Sequence, residues 1–263
     1  MEITPYEGIG REFQACWTLA ASYVQRLGEG NLAWFKGNLH PPFFEHFSFR
    51  LGNQLFFVRL EDTGGRLRVP GDMEGLLEIA EACNGHPLVM PMRYAGGIWL
   101  PAFPGWGLFD PRSRNPVNPM RLVGTERVAL SDWELHDLAV HSVMAKLPGA
   151  RPHSFCNHPM ISPSIWYEGP SGTEWAIVRF ARDPGSHVPL PSNWAQLCES
   201  SEGRGFGDGY FAVVLFQGKD PQSGDPIPNA PLYRCQDIHI SLKPLRRFAI
   251  GWEYPATEAR GQG

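Results

Sequence analysis

The chain has 263 residues, 43% hydrophobic and 19% charged, enough to bury the core of one large domain or two small ones and too apolar for bulk disorder. Its formal net charge of −4 argues against a protein whose task is coating nucleic acid, because phosphate binding needs a basic surface. No stretch reaches the roughly 18 apolar residues of a membrane span, the start Met1-Glu2-Ile3-Thr4-Pro5 lacks the features of a signal peptide, and Cys16, Cys83, Cys156, Cys198 and Cys235 are too widely spaced for a metal finger, which points to reduced thiols in a cytoplasmic protein.

Nine Trp and sixteen Phe imply large side chains filling the interior, and 25 Pro and 29 Gly imply short elements joined by many loops. Phe13, Trp17, Ala20, Ala21, Val24 and Leu27 recur at helical spacing and predict a helix from Gly10 to Leu27, stopped by Gly28-Glu29-Gly30-Asn31. Phe47 to Leu51 and Gln54 to Leu60 predict a hairpin turning at Gly52-Asn53. Asp72 is placed to cap a helix from Met73 to Cys83. A strand follows from Pro87 to Tyr94, then a loop from Pro101 to Pro119 rich in Gly, Pro and aromatics, and a short strand from Thr125 to Ala129.

Ser131 and Glu134 have capping-box spacing and open a helix from Asp132 to Leu147. Ser164 to Glu168 and Trp175 to Ala181 predict a second hairpin, turning at Pro170-Ser171-Gly172. A helix from Asn193 to Glu199 and strands from Gly209 to Gln217 and Asp237 to Leu242 complete the series.

Residues 11–60 lie on residues 131–180 without a gap, matching Phe13 to Trp133, Leu27 to Leu147, Gly52 to Gly172 and Val58-Arg59 to Val178-Arg179. The expectation is a mixed α/β protein, two tandem copies of a helix–β-hairpin–helix–strand unit forming a pseudo-symmetric two-lobed molecule. The domain boundaries that follow are a first repeat at 1–100, an aromatic, Gly- and Pro-rich connector at 101–130, a second repeat at 131–256 and a disordered tail at 257–263.

Arg59 and Arg179, each closing an apolar strand, are placed either to grip a carboxylate or phosphate in bidentate fashion or to pair with an acid at a sheet edge, Glu61 or Asp62 for Arg59. Glu134, Asp137 and His141 share one helix. Asp137 and His141, four apart on one face, could ligate a metal or relay a proton, or simply face solvent. Cys156-Asn157-His158 sets a thiol near an imidazole without the third group that orients a catalytic pair. Phe103 and Trp106 on the loop between the repeats present a contact surface for a partner, or else Trp106 plugs the seam between the copies. Arg112, Arg114, Arg121 and Arg127 follow and could serve nucleic acid, against the overall acidity.

The second copy resembles the core of restriction-endonuclease-like, PD-(D/E)XK, nucleases, which is a helix, a three-stranded meander, a helix and a strand. The resemblance implies a helix acid at Glu134, an aspartate near Ser162 or Ser164, and a Glu-x-Lys at Ile177-Val178-Arg179; in the first copy the last falls on Phe57-Val58-Arg59 and the helix position on Gln14. The acids that would hold magnesium are replaced, so the resemblance implies a degenerate relative without cleavage. A type III secretion chaperone-like fold has a similar element order. The segments Trp133 to Val140 and Pro163 to Trp166 also resemble those of uncharacterised proteobacterial proteins from plasmids and mobile elements.

Together these features lead us to expect a regulatory or inhibitory protein that binds another macromolecule, with a protein partner, no cofactor and no membrane association. The alternatives are a metal-dependent hydrolase or nuclease using Glu134, Asp137 and His141, and a nucleic-acid binder using the arginine-rich segment.

Overall fold

Phe13, Cys16, Ala20 and Val24, three or four residues apart, are the buried stripe of helix α1 (Arg11–Leu27). They pack on the phenylalanines of a meander: β1 (Leu32–Lys36), β2 (Phe47–Leu51) and β3 (Gln54–Asp62). The computed structural model describes residues 9–147 and 151–248, and these divide into two units. The expected tail at 257–263 lies outside the described residues.

In the first unit Gly52 adopts φ +53 in the two-residue turn between β2 and β3, as expected. Helix α2 (Met73–Ala82) then carries the chain over, so that β4 (His86–Ala95) pairs parallel to β3, the connection a parallel pair requires. Asp72 caps α2, its Oδ1 accepting the Gly75 N–H at 2.8 Å. Gly71 before it has φ +70, and a Cβ there would stand 1.9 Å from the Phe43 carbonyl oxygen, so only glycine fits. β5 (Ile98–Pro101) folds back on β4, and β6 (Leu108–Phe109) and β7 (Pro116–Val117) extend the sheet on the same side. The sequence places a loop where β6 and β7 run; strands of two residues carry no readable periodicity.

The second unit opens on α3 (Asp132–Met144) and a meander of β8 (Arg151–Phe155), β9 (Ile165–Gly169) and β10 (Gly172–Ala181). Helix α4 (Trp194–Gly203) leads into β11 (Gly209–Lys219), parallel to β10. β12 (Pro226–Ile227), β13 (Ile238–Leu242) and β14 (Arg246–Arg247) all pair antiparallel with β11. Trp175, Ile177, Phe211 and Phe248 form a buried cluster in this unit, flanked by Trp194 and Leu197 of α4.

Three expectations about the chain's division change. Residues 101–130 are no separate connector: the first unit runs to Ser131, because β6 and β7 are built into its sheet. The second unit is not continuous, since Tyr233–Cys235 belongs to the first. Thr125 to Ala129 is not a strand; it contributes one isolated bridge, Ala129 to Tyr233. Among the described residues no helix is long and apolar enough to cross a membrane.

Candidate functional site

The two hairpins end on different polar arrangements. In the first unit the last rung is Phe47–Val58, and His46 just beyond it is fully buried. Its Nδ1 accepts the Leu60 N–H at 2.8 Å and its Nε2 lies 2.9 Å from the Pro70 carbonyl. Burial pushes its pKa down to about 3, so the ring is neutral and Nε2 donates. Arg59 donates from Nη1 to the same Pro70 carbonyl at 2.7 Å. Burial lowers its pKa, while the charges of Asp72 and Glu61 oppose that shift. Beside this group, Lys36 and Glu45 form a buried ion pair at 3.8 Å.

In the second unit the last rung is Ile165–Ala176. Ser164 stands where His46 stands relative to its rung, and its Oγ accepts the Val178 N–H at 3.2 Å. Arg59 is the first residue beyond its rung and Arg179 the third beyond its own. The gapless matching of the two arginines therefore fails by one strand repeat, because the second hairpin turns two residues earlier relative to that alignment. Arg179 donates from Nη1 to the Val178 carbonyl at 2.8 Å and from Nη2 to Ser162 Oγ at 3.0 Å.

Glu134, His136 and Asp137 are all buried on α3, so this is not the solvated helix face that its charges suggest. The helix packs on β10, β11 and β13, and the segment after β8 supplies polar partners: Asn157 donates to Asp137 Oδ1 at 3.0 Å, and the His158 ring meets Trp133 edge-on at 4.3 Å. His141 Nδ1 lies 3.4 Å from Asp137 Oδ1 and 2.9 Å from the Asp137 carbonyl oxygen. That partnership raises the His141 pKa to about 9. His136 goes the other way, to about 4, through burial and then the charges of Arg179 and His158. Its Nε2 is buried without a hydrogen-bond partner. Among the described residues no group of three or more His, Cys, Asp or Glu side chains is arranged to hold a metal ion.

The aromatic loop belongs to the first unit. Trp106 packs against that unit's core and stacks with Phe49 at 6.4 Å, so it does not stand out as a contact residue. Phe103 does, at 47% exposed, resting edge-on against Phe109 at 4.8 Å. Arg114 is committed to Glu61 through two bonds, Nη1 to Oε1 at 2.9 Å and Nη2 to Oε2 at 2.6 Å. Arg112 is exposed. Arg127 lies over the Tyr233 ring at 5.5 Å. Arg121 borders a cleft of about 430 Å³ with His86, Asp110, Asn118 and Leu122.

Two features lie outside the sequence-based expectations. Arg234, 4% exposed, donates to the backbone carbonyls of Asn53, Asn84 and Cys83 at 3.2, 3.3 and 2.5 Å; nothing near it in sequence signals so distant a set of partners. The other is a repeated loop, Asp110-Pro111-Arg112-Ser113-Arg114-Asn115-Pro116 and Asp220-Pro221-Gln222-Ser223-Gly224-Asp225-Pro226, whose matching letters were there to be found. Comparison with protein-family models, with curated proteins and with solved structures finds no match to the chain.

Proposed function

We propose that the protein acts by binding another protein, as a regulatory or inhibitory partner, on a frame that arose by tandem duplication. The observation that carries the binding reading is the distribution of exposed apolar side chains. Tyr94, Ile98, Phe103, Met120, Leu122 and Val123 are all more than a third exposed, and all fall within residues 94–123 of the first unit. Half of the large apolar side chains exposed to that degree among the described residues lie in this one segment, and exposed apolar side chains that adjoin on a surface mark contact sites. The net charge of −4 and the engagement of Arg114 by Glu61 weigh against nucleic acid as the partner.

The duplication is supported by three details. Each unit runs helix, meander, helix, parallel strand. His46 and Ser164 accept a strand N–H from the same position beyond their hairpins. The two Asp-Pro loops share one bonding scheme: Asp110 Oδ1 takes the N–H groups of Arg112 and Ser113, and Asp220 Oδ1 those of Gln222 and Ser223. The turn closes through a residue at positive φ, Arg114 at 58° and Gly224 at 75°.

The nuclease-like order supports a degenerate relative of that family, with Ser162, Ser164 and Ile177 where metal-binding acids would stand. The rival reading, a metal-dependent hydrolase on Glu134, Asp137 and His141, has in its favour two acids buried on one helix. Against it, Asp137 is held by Asn157 and His141.

The test is photo-crosslinking of the full chain in an extract of its native host, with an Ile98→Glu, Phe103→Glu variant beside it. A discrete partner captured by the unaltered chain and lost in the variant, at unchanged melting temperature, supports the reading. Capture that survives both substitutions contradicts it.

A further inference from the structure

We infer that the second unit binds a small oxyanion group, phosphate or carboxylate, at Arg179. A guanidinium carries five N–H donors. The bonds to the Val178 carbonyl and to Ser162 Oγ occupy two of them and leave three, including Nε–H, without an acceptor among the described residues. Desolvation of a cation is costly unless something offsets it. For Arg59 the charges of Asp72 and Glu61 do so; for Arg179 burial acts with no acid opposing it. The side chain is half-buried, so an anion from solvent can reach it.

The neighbouring groups are donors as well. Ser162, also half-buried, accepts from Arg179 and keeps its own O–H free to donate. His136 is 1% exposed with Nε2 unpartnered, near enough to feel the Arg179 charge. A fork of charged N–H groups beside a hydroxyl, with no acid opposing its charge, matches the planar pairs of oxygens on phosphate and carboxylate. The site lies in the second unit and stands whether or not segment 94–123 engages a partner.

The experiment is a titration of the ¹⁵N-labelled full chain, following the Arg179 Nε–H resonance, assigned with an Arg179→Lys variant, and, in the unaltered chain and every variant alike, the backbone N–H resonances of Val178 and Phe180. Sodium phosphate and sodium acetate are the two probes, at ionic strength held constant with chloride. The expected result is a saturable shift in the millimolar range with at least one of them; saturation by phosphate alone assigns a phosphoryl ligand, and by acetate alone a carboxylate. Arg179→Gln should weaken it by about tenfold or more, the scale of one lost charge-assisted bond. Ser162→Ala, a smaller change that leaves the strands intact, should weaken it several-fold. No saturation with either anion, or affinity unchanged in both variants, would overturn the assignment.

Discussion

His46 Nδ1 accepts the backbone N–H of Leu60 at 2.8 Å, and the opposite ring nitrogen is within 2.9 Å of the Pro70 carbonyl. A proton on both nitrogens would break the first of these bonds, and burial, together with the charges of Arg59 and Lys36, already pushes the pKa to about 3. The unfolded chain takes up a proton below pH about 6.5 that the folded chain refuses down to about 3. The stability contributed by neutral His46 is therefore complete above pH 6.5 and declines as the pH falls toward 3. His136, held near 4, adds a decline over the upper part of the same window. In a His46→Gln variant the melting temperature is lower at pH 7 but falls less steeply between pH 6.5 and 4. An acid slope identical to that of the unaltered chain would contradict this.

His141 has the opposite sign. Its pKa is raised to about 9 by Asp137, so its contribution is complete below pH 6.5 and is lost as the pH rises through 9. The side chain is half exposed, and screening keeps the effect small. His141→Ala should flatten the alkaline limb of the stability profile between pH 7 and 9 and leave the acid limb alone; an altered acid limb would count against the assignment.

Both hairpins and both crossover helices were legible in the sequence, because each carries enough apolar residues to show its period, whereas β1 and β8, the first strand of each meander, were not. Asp72 was legible as a cap, and Glu61 as a neighbour for arginine, although it is Arg114 rather than Arg59 that it grips. The burial of Glu134 and Asp137 was not legible: a helix charged on one face reads as solvated, and only the fold brings Asn157 over it. Short β6, β7, β12 and β14 were missed because two residues cannot display alternation. The distant partners of Arg234 were missed because they are fixed by tertiary structure alone.

Arg234 should be a large stability determinant of the first unit. It meets the carbonyls of Cys83 and Asn84 just past the end of α2, where a cation is favoured, as well as that of Asn53. Arg234→Ala leaves these acceptors unpaired and should cost about 2–4 kcal/mol in denaturant unfolding. Arg234→Lys should recover only part of that, since an ammonium lacks the fork that spans several carbonyls. A loss under about 0.5 kcal/mol, the scale of an ordinary surface substitution, would refute the role.

None of the five cysteines is in a disulfide, and their reactivities should separate. Cys235 is exposed, while Cys16 and Cys83 are buried and burial pushes the Cys16 thiol up to about 12. Since thiolate is the reactive form, a disulfide-exchange reagent should modify Cys235 first and leave Cys16 and Cys83 untouched until the chain unfolds. Denatured, non-reduced protein should titrate five thiols. Three or fewer, or early modification of Cys16, would show the arrangement to be wrong.

The claim that the protein works by binding and not by cleavage is tested most directly by incubating it with single- and double-stranded DNA and RNA in magnesium or manganese. A phosphodiester-cleaving metal site needs hard anionic oxygens close together, and Asp137 is occupied by Asn157 and His141 while Ser162, Ser164 and Ile177 hold the remaining positions. Loss of even one electrostatic stabiliser typically costs about 10²–10³ in rate. The account predicts intact substrates at every metal concentration. Metal-dependent cleavage that disappears in Glu134→Ala would contradict it and establish the hydrolase reading in its place.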